Sequence, residues 1–325
     1  MPELRKDLLF DKWALFAEER KKRPNDFKKN KKEDENLPKL DENCPFCPGN
    51  EDLTPAEIDR VEEAGHWVVR CFPNKFAAVH FDEKLEEKQE NFFYSKKAIG
   101  KHEVIVESPI HNQSLGSLSV ERISQILEMY QKRFTELMSI KGTKEVNIFK
   151  NFGQGSGASL AHSHTQIVSL NQVSPFTEKD LKLFEEKKTE FGISPYLKLI
   201  EIEKNSPRAI FENNSFIAIA PFASSTPLEV MILPKKQYAT IADVPKEELK
   251  DFATILKKIL FALEKLPAAY NFFIRNGVEG KEFHFYLKIQ TRLALKGGFE
   301  EQTGIIINSF IPEDVADFFL ENEWS

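Results

Sequence analysis

Asn147-Ile148-Phe149-Lys150-Asn151-Phe152-Gly153, followed by His162-Ser163-His164-Thr165-Gln166-Ile167, carries more of this chain's architecture than any other segment. The first run has the β-branched and aromatic content of a strand, and the second alternates polar and apolar residues toward Ile167-Val168. A strand of period two places His162, His164 and Gln166 on one face. Between the two runs lies a glycine-rich stretch, Gly153-Gln154-Gly155-Ser156-Gly157-Ala158-Ser159. Glycines let a backbone approach a ligand closely, and successive N–H groups in such loops form anion concavities. Imidazoles and a glutamine aimed at a bound phosphate suit nucleotidyl transfer. By itself a His-x-His pair is also a common metal site, or only a polar strand edge.

The same order of elements recurs downstream. Asn271-Phe272-Phe273-Ile274-Arg275-Asn276-Gly277 echoes residues 147–153, and Phe283-His284-Phe285-Tyr286-Leu287-Lys288-Ile289 stands where the histidine strand stood. Residues 214–219 echo Asn74 to Val79, and 229–234 echo 103–109. A helix over 246–263 stands for one over 118–139, whose N-cap is read as Ser119. Five elements in one order predict an internal duplication. The fold class is therefore α+β, with two β-β-α-β-β units of antiparallel sheet flanked by helices. The predicted division is a catalytic domain over 1–175, carrying a cysteine knuckle, and a degenerate copy over 200–325. In that copy Tyr286 replaces the second histidine and Lys288 the glutamine.

Composition narrows the function. With 325 residues, 41% hydrophobic and 30% charged, the chain has core enough for both halves. A net charge of −6 gives no reason to expect a nucleic-acid backbone or an anionic membrane as partner. No N-terminal apolar run reads as a signal peptide, and no stretch of about 18 apolar residues reads as a membrane span. Three cysteines, two of them in a C-x-x-C, fit a reducing cytoplasm and a metal site better than a disulfide framework.

The knuckle is Cys44-Pro45-Phe46-Cys47-Pro48-Gly49-Asn50. Its spacing lets two thiolates share one Zn²⁺, and Cys71, in an apolar run, reads as core. The remaining ligands must come from His66, His80, His102, His111, His162, His164 and His284. His111 follows the strand-ending Ser108-Pro109, and His162 begins the histidine strand. Cys44, Cys47, His111 and His162 are the expected set, with a redox pair or a knuckle ligated otherwise as alternatives. A closed four-ligand site is structural.

A nucleotide pocket needs further groups. Arg20 and Arg23, in Arg20-Lys21-Lys22-Arg23-Pro24, offer guanidinium forks for phosphate, although a solvated basic turn is the plainer reading. Asn74 could meet a ribose or base. Phe76 could underlie the base, although such a residue is more often core.

Together these motifs resemble the galactose-1-phosphate uridylyltransferase family, the transferase branch of the histidine-triad superfamily, over roughly residues 3–320. The carriers are Arg20-x-x-Arg23-Pro24, the knuckle, Phe72-Pro73-Asn74-Lys75-Phe76, Ser108-Pro109-Ile110-His111 and Asn151 through Gln166. The resemblance implies that His164 attacks the α-phosphorus of a nucleotide sugar, giving a covalent nucleotidyl-histidine and ping-pong kinetics. It further implies that Gln166 steadies the phosphoryl oxygens and that His162 ligates zinc. Arg20, Arg23, Asn74, Lys75, Asn151, Gly157 and Ser159 would contact the nucleotide. One structural zinc per chain, a homodimer, and sugar 1-phosphate or phosphate as acceptor complete what it implies.

Two departures bear on function. The second half offers only His284, so the second, histidine-rich metal site common in the family is not expected. Lys296-Gly297-Gly298-Phe299-Glu300 lacks the tyrosine of the family's hexose-phosphate motif and shifts its lysine. That run and Ser163 look more like the adenylyl-transferring relatives, ADP-glucose phosphorylase and adenylylsulfate:phosphate adenylyltransferase. A histidine-triad hydrolase and a non-catalytic nucleotide-binding protein are the competing classes.

Overall fold

The computed structural model describes residues 2–22, 37–82, 84, 86–294 and 296–322, with backbone alone at 21 and 22. Strands β1 (Glu3–Lys6) and β2 (Trp13–Phe16) open a small peripheral sheet. The first half then supplies β3 (Asp59–Glu63), β4 (His66–Pro73), a hairpin of β5 (Glu87–Glu90) and β6 (Phe93–Lys96), β7 (His102–Val106), helix α1 (Val120–Met138), β8 (Glu145–Phe152) and β9 (His164–Leu170). Helices α2 (Pro175–Phe191) and α3 (Pro195–Glu203) connect to the second half. That half supplies β10 (Ala209–Glu212), β11 (Phe216–Ile219), β12 (Val230–Pro234), α4 (Leu249–Glu264), β13 (Tyr270–Arg275) and β14 (Tyr286–Thr291). Helix α5 (Gly298–Thr303), β15 (Ile306–Asn308) and α6 (Pro312–Glu321) follow, with β15 pairing parallel to β2.

The ten main strands form one antiparallel sheet in the order β10-β11-β12-β14-β13-β8-β9-β7-β4-β3. Outward from the central β8–β13 seam, one half runs β8, β9, β7, β4, β3 and the other β13, β14, β12, β11, β10. The two sequences of strands are equivalent, so the duplication holds at the level of topology. The seam is in register from Tyr270 against Phe152 to Ile274 against Ile148. Strand pairing therefore fuses the two units into one sheet.

Each face of the sheet has its own cover. Helices α1 and α4 lie side by side on one face, where Ile123, Ile126, Leu127, Tyr130 and Phe134 of α1 and Phe252, Leu256, Ile259 and Leu263 of α4 join the main apolar core. As expected, Ser119 caps α1, its hydroxyl accepting from the Arg122 N–H at 3.1 Å, a contact worth about 1 kcal/mol. On the opposite face, the knuckle residues Cys44, Phe46 and Cys47 pack with Phe72, Val104 and Val106 of the first half. Over the second half that face is covered by α2, α3 and the N-terminal pair Leu9 and Phe10, which pack on Tyr286 and Met231.

The strand register corrects two of the expected correspondences. Val104 faces Gln166 across β7–β9, and Met231 faces Lys288 across β12–β14. With Gln166 and Lys288 equivalent, Val104 matches Met231, so the 103–109 echo is displaced by one residue. Likewise Ile105 matches Ile232, and Cys71 and Ala218 face them from β4 and β11. Residues 216–219 therefore match 69–72, whereas residues 74–79 lie beyond β4 in a turn. Pro73 ends the strand, and the similarity of the two short apolar runs is not structural. The second-half helix begins at Leu249, after a short turn over Lys246–Glu248, rather than at residue 246.

Candidate active site and metal centre

His162 and Ser163 lie just before β9, which begins at His164. Strand alternation continues through them. Ser163 and Thr165 point toward α1, and His164 and Gln166 point to the face that carries the knuckle. The preceding loop needs its glycines: Gly155 and Gly157 have φ of +90° and +91°, a region L side chains rarely adopt. Asn151 fastens this loop at its root. Its amide donates to the Gly157 carbonyl at 3.4 Å, and its Oδ1 accepts from Asn271 of β13 at 2.6 Å. Asn271 also donates to the Ser156 carbonyl at 2.9 Å, so the second half holds the first half's loop.

The four expected metal ligands converge. The ligand atoms of Cys44, Cys47, His111 and His162 all lie within 4.8 Å of one another, and all four residues are buried. Cys47 Sγ is 3.5 Å from His111 Nδ1, and His162 Nδ1 is 3.6 Å from Cys44 Sγ and 3.7 Å from Cys47 Sγ. A tetrahedral ion with Zn–S near 2.3 Å and Zn–N near 2.0–2.1 Å separates sulfur from nitrogen by about 3.6 Å, so the cluster has the dimensions of such a site. The tautomer agrees. His162 Nε2 is 2.8 Å from the Ser108 carbonyl, which can only accept, so Nε2 carries the hydrogen and Nδ1 turns its lone pair to the sulfurs. Burial holds His162 down at about 4, keeping it a neutral donor, and pushes the Cys44 thiol up to about 11. A bound cation supplies the charge that deprotonates such a thiol.

His164 is fixed by the same logic. Its Nδ1 is 2.8 Å from the His162 carbonyl and donates to it, which leaves Nε2 as the lone-pair nitrogen. The residue is 6% exposed, and the Phe46 ring packs edge-on at 5.3 Å between centroids. Burial pushes its pKa below the ordinary imidazole value, against the pull of the His162 carbonyl, so the neutral form is favoured. The knuckle thus positions the imidazole through Phe46 as well as through the chain.

Beneath the strand lies a buried network that the sequence reading missed. Lys150 Nζ donates to Glu107 at 2.6 Å, to Ser163 Oγ at 2.9 Å and to the His164 carbonyl at 3.1 Å. Ser163 and Thr165 hydroxyls each donate to Glu107 at 2.6 Å, and Tyr130 OH meets Thr165 Oγ1 at 2.6 Å. Burial drives the Glu107 carboxyl up, but Lys150 and the two hydroxyls outweigh it and hold the group below the usual carboxylate range. The signal was in the motif itself: if His164 and Gln166 share one face, Ser163 and Thr165 face the core and need polar partners.

The outer residues are placed less uniformly. Asn74 is half-buried beside Gln166, with its Nδ2 at 3.5 Å from Gln166 Oε1. Lys75 and Ser159 are exposed. Phe76 is 85% exposed and so is not a core residue. Arg20 is exposed on the turn Glu18–Lys22, and no hydrogen bond or ion pair among the described residues joins it to the histidine cluster. Arg23 lies outside the described residues.

A glycine-rich loop beside a fixed imidazole and a glutamine, with a Cys₂His₂ cluster behind, is the arrangement of a nucleotidyltransferase of the histidine-triad kind. The chain belongs to the galactose-1-phosphate uridylyltransferase family: models of its N-terminal and C-terminal domains match residues 1–174 and 145–267. The ADP-glucose phosphorylase of Arabidopsis thaliana is 32% identical, covering 98% of this chain and 93% of that protein. The galactose-1-phosphate uridylyltransferase of Thermotoga maritima is 29% identical, with 99% of each chain covered. In three dimensions the chain superposes on the crystal structure of the Arabidopsis ADP-glucose phosphorylase with bound ADP-glucose at a TM-score of 0.83, with 30% identity and coverage of 99% and 98%. A solved uridylyltransferase matches at 0.75, with 25% identity and coverage of 99% and 98%. The protein is an enzyme, a nucleotidyltransferase. Among the described residues no helix is long and apolar enough to cross a membrane.

Proposed function

We propose that the protein moves a nucleoside monophosphate from a nucleotide sugar to inorganic phosphate or a sugar 1-phosphate, through a nucleotide bound covalently to His164. The observation that carries this reading is the His164 tautomer: Nδ1–H is committed to the His162 carbonyl, and Nε2 is left as a nucleophile. Nε2 attacks the α-phosphorus, an N–P bond forms, and the P–O bond to the β-phosphate breaks. Sugar 1-phosphate leaves with that oxygen. The acceptor's phosphate oxygen then attacks the same phosphorus and the N–P bond breaks, restoring the neutral imidazole. Gln166 donates its amide hydrogens to the phosphoryl oxygens, the Gly157–Ser159 backbone cradles them, and Asn74, Lys75, Asn151, Arg20 and Arg23 serve the nucleotide.

Cys44, Cys47, His111 and His162 would hold one zinc ion per chain. It supplies folding free energy and a rigid anchor for the strand, and no reaction step passes through it. Residues 1–175 form the catalytic unit in this scheme and 200–325 the degenerate one. The expected homodimer and cytoplasmic setting belong to the same proposal, and sedimentation of the purified protein tests the dimer.

For the acceptor, the sequence around Phe299 favours phosphate. Phe299 is exposed and has no hydroxyl to offer a hexose, and the Glu300 carboxylate accepts from the Gly297 N–H at 2.9 Å, capping α5. A site that recognises sugar hydroxyls needs such groups free. The test is intact-mass spectrometry after mixing with ADP-glucose or UDP-glucose. A gain of one AMP or UMP is expected, and no adduct with either sugar nucleotide would sink the scheme. Release of nucleoside diphosphate on adding phosphate, against release of nucleotide sugar on adding galactose 1-phosphate, then decides between phosphorylase and hexose-phosphate transferase.

A further inference from the structure

We propose that His102, at the start of β7, is a positioning residue for the transfer: it holds Gln166 in the one amide orientation that aims its NH₂ group at the phosphate. The inference rests on the nucleotidyl-His164 reading.

The argument is a chain of donors whose polarity has a single solution. The Ala78 backbone N–H, which can only donate, points at His102 Nδ1 at 3.2 Å. Nδ1 is therefore the acceptor, and the ring's hydrogen is on Nε2. His102 Nε2 lies 2.8 Å from Gln166 Oε1 and donates to it. Asn74 adds to the same end. Its Oδ1 accepts from the Phe76 N–H at 2.8 Å, which turns its Nδ2 toward His102 Nε2 at 3.2 Å and Gln166 Oε1 at 3.5 Å. Two donors thus converge on one oxygen of Gln166. A glutamine with its carbonyl end so occupied presents only donors at its other end. Flipped, it would face His102 with an N–H against an N–H and offer a carbonyl oxygen to an anionic phosphate.

His102 is 9% exposed, and burial pushes its pKa below the ordinary imidazole value, so it stays neutral with the tautomer the turn dictates. The degenerate half supplies an independent comparison. Register makes Met231 the equivalent of Val104, so Glu229 occupies the position of His102 and Lys288 that of Gln166. Those two are also paired, Lys288 Nζ to Glu229 Oε1 at 3.4 Å. Both copies couple these two strand positions, and only the first does so with neutral groups that leave donors pointing outward.

The test is single-turnover formation of the nucleotidyl-enzyme from ADP-glucose, or from UDP-glucose where that is the better donor. His102→Leu should slow it roughly 10- to 100-fold, short of the loss expected for removing a transition-state donor outright, with sugar-nucleotide affinity changed less than about threefold. In a Gln166→Ala background the same substitution should cost less than about twofold more, because nothing is left to orient. His102→Gln keeps a donor near Nε2 and should recover most of the rate, whereas its isostere His102→Glu should not. Equal rates for the Gln and Glu variants, or an undiminished His102→Leu effect without Gln166, would overturn the role. A wild-type enzyme that forms no adduct would instead refute the underlying reaction.

Discussion

At the scale of single residues, the site is two imidazoles with opposite assignments. His162 turns Nδ1 to the thiols and His164 keeps Nε2 as its lone-pair nitrogen, each set by the carbonyl its other nitrogen meets. His164→Ala should therefore abolish adduct formation while zinc content and melting temperature stay near wild type; an adduct in that variant would move the nucleophile elsewhere. The Lys150–Glu107 pair makes a different prediction. Because Glu107 has a folded pKa below its unfolded value, its contribution to stability is present above the unfolded pKa, about 4.3, and is lost as pH falls below it toward the folded pKa. Lys150→Met strands the buried carboxylate and should cost about 3–5 kcal/mol near neutral pH, with a smaller deficit in acid. Urea titrations at pH 7 and pH 4 measure both, and a pH-independent deficit would contradict the pairing. The shared face of His164 and Gln166 and the pairing of Cys44 with Cys47 were legible in sequence because a two-residue period and a C-x-x-C each state their geometry locally. Lys150, Glu107 and His102 were not, because they arrive from neighbouring strands and only pairing register brings them in.

At the scale of elements, the knuckle acts as both anchor and wall. Phe46 sits between the thiols and packs on His162 at 6.1 Å and on His164 at 5.3 Å between ring centroids. Cys44→Ser should lower zinc content, lower the melting temperature and increase hydrogen exchange at residues 44–50 and at β9 together. Undiminished zinc by elemental analysis would remove Cys44 from the ligand set. Helix α1 was readable from its apolar spacing and Ser119 cap, whereas α2 and α3 went unread. Their boundary signals were present: Ser174-Pro175, Gly192 with φ of +72°, and Ser194-Pro195. Only Thr177, Asp180, Leu181 and Phe184 of α2 are buried, too thin a stripe for periodicity to register. The false echo at residues 74–79 is the reverse error, a local likeness that pairing register does not support.

At the scale of the whole molecule, the two halves share one sheet but meet different covers. The Phe10 ring packs on Tyr286 at 5.6 Å and lies beneath the Lys288 ammonium at 4.3 Å, and Tyr196 stacks on both His284 and Tyr286. The position equivalent to His164 is thus packed by aromatic rings from the N-terminal segment and α3. His284 even keeps a carbonyl bond like that of His162, from Nε2 to Pro234 at 2.9 Å, but there are no thiols for its Nδ1 to meet. Metal analysis should accordingly give one zinc per chain, unchanged by His284→Asn; two would mean that a second site exists.

The N-terminal segment fills the space over Tyr286, the position equivalent to His164. Writing the working residues back, as Tyr286→His with Lys288→Gln, should restore no second reaction centre. The new imidazole would meet aromatic rings where a phosphate must sit, so active-site titration should still count at most one nucleotide per polypeptide. A duplicated gene ordinarily keeps a spare. Here the spare has been built into the wall, and changes at Phe10, Tyr196 or Tyr286 should register as lost stability rather than as altered turnover.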